Sequence, residues 1–212
     1  MQRFSGQPWR LAGAVVGWLG FSFCFTLLYL SAGVVMGLGG FCASGGAYVI
    51  ATECPDSVVA FTPLSIVGGL VIVGVSVYLA RGFGTPLAAW AWPILFCGLG
   101  VQFLLSALSG DPTGIFIAVV FIVMGLVPLV IAFRADWRPV LVGSTALNGH
   151  PFGDTSAASR LAAPFGREDD REPIAPTATD WLVSLSITIL GSALGIYLAL
   201  ATFSAVANSG PQ

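Results

Sequence analysis

Five long apolar runs dominate the chain, and none of them contains an Asp, Glu, Lys, Arg or His. They extend from Leu11 to about Leu38, from Val58 to Ala80, from Leu87 to Leu108, from Gly114 to Phe133 and from Trp181 to about Ala207. A helix rises about 1.5 Å per residue, so a hydrocarbon core of roughly 30 Å takes about 20 residues. Every run meets that length, and the first exceeds it, which requires a tilt or a protruding end. Only 8% of the 212 residues are charged, against roughly 25% in a soluble domain. A water-facing surface cannot be built from that inventory, so the partner of this surface is the lipid bilayer. The expected fold is all-α: a polytopic α-helical membrane protein with five transmembrane helices. With a net charge of −2 no basic face exists to neutralise phosphates, and nucleic acid is excluded as a partner.

The arginines give the chain a direction. All eight basic residues are arginine. Arg3 and Arg10 precede the first run, Arg81 lies between the second and third, and Arg134, Arg138, Arg160, Arg167 and Arg171 lie between the fourth and fifth. The alternate connections, 39–57 and 109–113, and the tail 208–212 carry none. Positive-inside bias makes the arginine side cytoplasmic, with the N-terminus cytoplasmic and the C-terminus extracytoplasmic. The expected layout is a cytoplasmic N-terminus (1–10), a four-helix bundle (11–133) with an outer loop (39–57), a cytoplasmic loop (134–180), a fifth helix (181–207) and an outer tail (208–212). Trp9, Tyr48, Tyr78, Trp137 and Trp181 fall at run ends, where amphipathic rings sit among headgroups. A signal peptide's apolar core is only about 7–15 residues, so the first run is read as an uncleaved span. Phe41 before Cys42 speaks against a lipoprotein site.

The 134–180 segment holds five arginines, seven acids and five prolines. It reads as solvated and largely flexible, with a short helix over 155–163 capped by Thr155. Whether it docks a partner or is only a linker is open at this level. Short turns at 81–86 and 109–113 imply that consecutive helices are antiparallel neighbours.

Within the runs, small residues recur four apart at Gly13 and Gly17, Gly33 and Gly37, and Gly191 and Gly195, a spacing that lets helix backbones approach closely. Pro63 lies near a run end. Pro93 and Pro128 lie deeper, and each should free a backbone carbonyl and bend its helix. Gln102 is the most polar side chain at depth and is expected to hydrogen-bond between helices. The absence of ionisable groups at depth counts against a proton pump or ion-coupled carrier.

Motifs for cofactor chemistry are missing. His150 is the single histidine, which excludes a haem held by two histidines and leaves no histidine-rich zinc site. No GxxxxGK phosphate loop occurs. Ser44 in the run ASGG lacks a base, since His150 lies on the opposite face of the membrane. No catalytic, cofactor-binding or metal-ligating residue is assigned, and no cofactor is expected.

The cysteines carry the remaining signal. Cys42 and Cys54 share the arginine-free loop, in a compartment that lets disulfides persist. A bridge between them would close a short loop, stabilising it by about 3 kcal/mol through chain entropy. Tyr48, Val49 and Ile50 inside that loop are expected to pack on the outer helix ends. The functional alternative is a dithiol that passes electrons to quinone. Such enzymes typically use a CxxC pair of lowered pKa, and no CxxC occurs here, so the structural disulfide is preferred. Cys24 and Cys97 lie at depth and should stay reduced as small packing residues.

The stretch FCASGGAYVIATECP, Phe41 to Pro55, resembles the first outer loop of a group of uncharacterised actinobacterial multi-span membrane proteins, although proline is more usual there at the position of Ala47. The resemblance covers the loop and the span layout. It implies a bacterial plasma membrane and a paired-cysteine outer loop, and it supplies no catalytic residue. The leading expectation is a non-enzymatic structural or accessory component of a membrane assembly, with a membrane-protein partner or a second copy of the chain. The alternatives are an extracytoplasmic thiol–quinone oxidoreductase using Cys42 and Cys54, and an oligomeric small-solute carrier or pore.

Overall fold

The computed structural model describes residues 8–44, 52–80, 84–108, 113–135, 137–142 and 178–209. These form α1 (Pro8–Gly37), α2 (Asp56–Ala80), α3 (Leu87–Leu108), α4 (Thr113–Ala135), a single-turn α5 (Trp137–Leu141) and α6 (Ala178–Ser209). Five of the helices, all but α5, are long and apolar enough to cross a membrane. Among the described residues there is no strand, only an isolated parallel bridge between Ala43 and Glu53. The segments 45–51 and 143–177 lie outside the described residues, and with them the expectations for Tyr48, Val49 and Ile50, for the helix capped by Thr155 and for the mobility of the long loop.

The helix ends follow local chemistry. Pro8 opens α1, where its missing N–H would have no intrahelical acceptor. Gly39 and Gly40, at φ +94° and +86°, close it. The Gly40 N–H reaches Val35 O at 3.0 Å and the Gly39 N–H reaches Met36 O at 3.2 Å, a Schellman pair that only a left-handed residue permits at low cost. The Pro55 carbonyl starts α2 by accepting from the N–H groups of Val58 and Val59. Asp56 follows in the first turn, where a negative charge suits the helix dipole.

α1 is the hub, on which α2, α3 and α6 all pack. Three stripes divide its surface. Gly13, Gly17, Gly20 and Cys24 face α2, in antiparallel register with Leu79–Ala80, Ser76, Ile72 and Gly68–Gly69. Trp18, Leu19, Ser22 and Phe23 face Gly191 and Gly195 of α6. Both sequences ascend together along this seam, so α1 and α6 are parallel. Phe25 and Gly33 face α3, against Gly98 and Gln102. α4 packs almost entirely on α3, through Gly100 against Ala118 and Ile122 and Gly125 against Pro93 and Cys97.

The glycine pairs therefore mark real crossings at 13/17 and 191/195. In the pair 33/37 only Gly33 is a contact, since Gly37 has no heavy atom within 4 Å of where a Cβ would sit. Gly37 belongs to the last turn of α1, beyond the reach of its neighbours. Gln102 does lie between helices, with its amide over the Gly33 backbone.

The expectation of antiparallel neighbours fails for α2 and α3. Joined by a short turn, they touch one another only weakly, because α2 packs chiefly on α1 and α3 chiefly on α4. The long 134–180 segment is also helical at both described ends, because α5 follows α4 and α6 starts at Ala178. The earlier starts of α1 and α6 bring Arg10 and Asp180 into helices, and both are buried. The helix end carrying Arg10 and Arg134 is called the arginine end below, and the opposite one the cysteine end.

The glycine seams predict a graded response. At Gly195 a Cβ would meet the Leu19 carbonyl and the Phe23 amide, which cannot rotate aside. Gly195→Val should destabilise the detergent-solubilised protein by at least about 1–3 kcal/mol. At Gly74, which has nothing within 4 Å, Gly74→Ala should be neutral or slightly stabilising. Thermal unfolding followed by size-exclusion chromatography separates the two.

Candidate functional site

Three places hold functional potential: the cysteine loop, an apolar cleft at mid-depth, and a buried polar junction at the arginine end.

At the cysteine end Cys42 and Cys54 stand at disulfide distance, with Cα atoms 4.9 Å apart. The main chain supports the pairing: the Ala43 N–H donates to Thr52 O and the Cys54 N–H to Ala43 O, both at 3.0 Å. Cys24 and Cys97 are free. Cys24 lies in the α1–α2 seam, with its Sγ 3.2 Å from where a Cβ on Gly68 would sit, and Cys97 lies against Gly125. Both fill space left by glycine.

The cleft lies between α1, α2 and α3, where the latter two pack weakly on each other. It measures about 300 Å³, and Phe21, Phe25, Ser65, Gly69, Ala88 and Trp92 are among its walls. Its one hydroxyl, on Ser65, already donates to Thr62 O at 2.9 Å. The indole of Trp92 is also engaged: it donates to Met124 O at 3.0 Å. Met124 is the carbonyl that Pro128, four residues on, cannot bond because proline lacks an N–H. Trp92 thus repairs the gap opened by a proline in the next helix, and its ring lies tilted against Phe96 with centroids 4.3 Å apart. The cleft can hold an apolar body but offers no unengaged side-chain donor to orient a polar one.

The junction is where the sequence reading was least informative. The turn between α2 and α3 places Thr85 at the centre, with Gly84 at φ +71° beside it. The Trp18 indole donates to Thr85 O at 2.9 Å. Thr85 Oγ1 donates to Leu141 O at 2.7 Å and lies 2.8 Å from Ser184 Oγ. Because the Thr85 proton goes to Leu141, the single Ser184 proton is shared between Thr85 Oγ1 and Val142 O, the latter at 3.4 Å. The Trp90 indole donates to Val140 O at 2.9 Å. Three successive carbonyls at the C-terminal end of α5, which a helix leaves unbonded, are thus each met by a side chain. Val140 and Val142 are fully buried beneath them. Arg10 adds a bond from its Nε to Ala80 O at 3.1 Å, tying the start of α1 to the end of α2.

None of Thr85, Ser184, Arg10 or Asp180 was singled out from the sequence as a site residue. Serine and threonine are common in spanning helices, and only the fold shows that these two converge. Among the described residues no group of three or more His, Cys, Asp and Glu side chains is placed to hold a metal ion.

The junction predicts coupling between its hydroxyls. Thr85→Val removes the donor to Leu141 O and an acceptor for Ser184, and should cost about 1–3 kcal/mol. A double-mutant cycle with Ser184→Ala, read by unfolding in bicelles, should give a coupling of at least about 0.5 kcal/mol; additive losses would show that the two side chains act separately. No family model, no curated protein and no solved structure matches this chain.

Proposed function

We propose that this is a non-enzymatic, multi-pass membrane protein that serves as a structural or accessory component of a membrane assembly. The observation that supports this most directly is where its polar groups go. The side chains with donors at the junction and in the cleft wall are engaged with carbonyls of the same chain. All but the Ser65 bond, which stays within α2, join one element to another, and together they leave the cleft apolar. A surface of that kind recognises another hydrophobic body, either a helix of a membrane partner or a second copy.

In this reading the arginine end faces the cytoplasm, because all the arginines lie on connections to that end and basic residues are retained there. The membrane is the plasma membrane of a bacterium, as the resemblance of the cysteine loop implies. The thiol–quinone alternative is disfavoured by register. The cleft reaches no nearer the cysteine end than Leu28 and Ser65, nine residues from the ends of α1 and α2, or about 13 Å at 1.5 Å per residue. A quinone in the cleft would sit well below the sulfurs.

Purification from native membranes in mild detergent tests the proposal. The expected outcome is a stoichiometric membrane protein, or a second copy, retained on the chain, with no quinone-dependent oxidation of a test thiol. In the same preparation Cys42→Ser should lower stability by about 3 kcal/mol without altering any redox turnover. A solitary monomer whose thiol oxidation requires Cys42 would overturn the reading.

A further inference from the structure

We propose that α5 is a removable strap: a single helical turn that closes the arginine-end mouth between α3 and α6, and that can leave it while the five long helices stay packed. α3 and α6 both pack on α1 and share no seam of their own. α5 bridges them, because adjacent carbonyls of its last turn are held by Trp90 of α3 and by Thr85 and Ser184 of the turn and α6.

A five-residue helix has little stability of its own, so the position of α5 is set by what grips it. That grip includes side-chain donors on three main-chain carbonyls, the ring contact of Trp137 with Trp181 of α6 at 5.7 Å, and the burial of Val140 and Val142. Val140 packs with Ala89 of α3 and Ala132 of α4, and Ser184 lies on the buried face of α6, but none of the glycine crossings that hold the long helices together is among these contacts. The α1–α2, α1–α6 and α3–α4 seams are built from glycine crossings elsewhere. The docking contacts can therefore break as a set without opening a seam.

The receptor survives the departure. Trp18 grips the Thr85 carbonyl independently of α5, and Trp90 is held in place by an edge-on contact with Phe133 at 6.0 Å. An emptied mouth would present an indole N–H and two hydroxyls above Leu87 and Ala89. Such a row of donors takes consecutive main-chain carbonyls, so the ligand class it fits is a short apolar peptide segment. In the closed state α5 is the built-in occupant.

The test uses the full chain in lipid nanodiscs with Val142→Cys as a reporter, labelled by a maleimide and corrected for Cys24 and Cys97 with the parent protein. A second pair, Phe61→Cys with Phe203→Cys, reports on helix packing, since those rings lie 5.7 Å apart. Replacing Thr85 by Val and Ser184 by Ala should raise the labelling rate at position 142 by roughly tenfold, the change expected for two lost hydrogen bonds. The 61–203 cross-link should still form in full. An unchanged labelling rate, or a rise that appears only together with loss of the cross-link, would show that α5 is a fixed part of the bundle.

Discussion

Everything in this structure depends on how closely α1 lets other backbones approach it. In a bilayer the hydrophobic effect does not drive helices together, because lipid tails are as apolar as leucine; association rests on packing and interhelical hydrogen bonds. α1 meets that requirement with glycine toward α2 and with a receptive surface for the glycines of α6. It is the most buried of the long helices, with 44% of its most apolar window inside the protein, against 17% or less for the others. Their outward faces remain lined with Val, Leu, Ile and Phe, the surface that lipid or a partner helix would cover.

The two ends of the bundle are held by different means. At the cysteine end the connection between α1 and α2 is closed by a cysteine pair and two main-chain hydrogen bonds. At the arginine end the closure is a junction of side chains on carbonyls, centred on Thr85. A hydroxyl or indole buried away from water is costly when unpaired, so a junction of this kind is complete or unstable. The one exception among the described residues is Ser31, whose buried hydroxyl has no partner. It lies one turn above Leu27, and a serine in a helix can turn to the carbonyl four residues back, so its isolation is a matter of rotamer and not of site chemistry.

Much of this was legible from sequence, for physical reasons that can be named. The five helices long and apolar enough to cross a membrane could be read because a run without charge is the direct signature of lipid as solvent. The crossings at Gly13, Gly17, Gly191 and Gly195 could be read because close approach needs a missing Cβ. That Cys42 and Cys54 come to disulfide distance agrees with their sharing the arginine-free loop. What could not be read is which helix is central. Every run has the apolar composition of a hub, and the choice depends on how three stripes on α1 match three partners. Nor could α5 be found: Trp-Arg-Pro-Val-Leu resembles an interfacial anchor, and nothing local indicates that its carbonyls meet Trp90, Thr85 and Ser184. The repair of Met124 O by Trp92 was hidden for the same reason, since the proline and the indole belong to different helices.

The parallel pairing of α1 and α6 then constrains how the chain completes itself. α4 runs toward the arginine end, and α6 starts there beside the first turns of α1. The end of α5 and the start of α6 therefore lie on the same side of the bundle. α1 and α6 are the first and last of the described helices in the chain, so their pairing does not rest on sequence proximity. It rests on a stripe of small residues, Ser184, Gly191, Gly195 and Ala199, all buried on one face. The lowest of these, Ser184, is also the residue that grips the end of α5. The last helix and the strap are thus fastened at one point: the serine that seats α6 beside the turn of Thr85 also helps hold the strap across the mouth beside it.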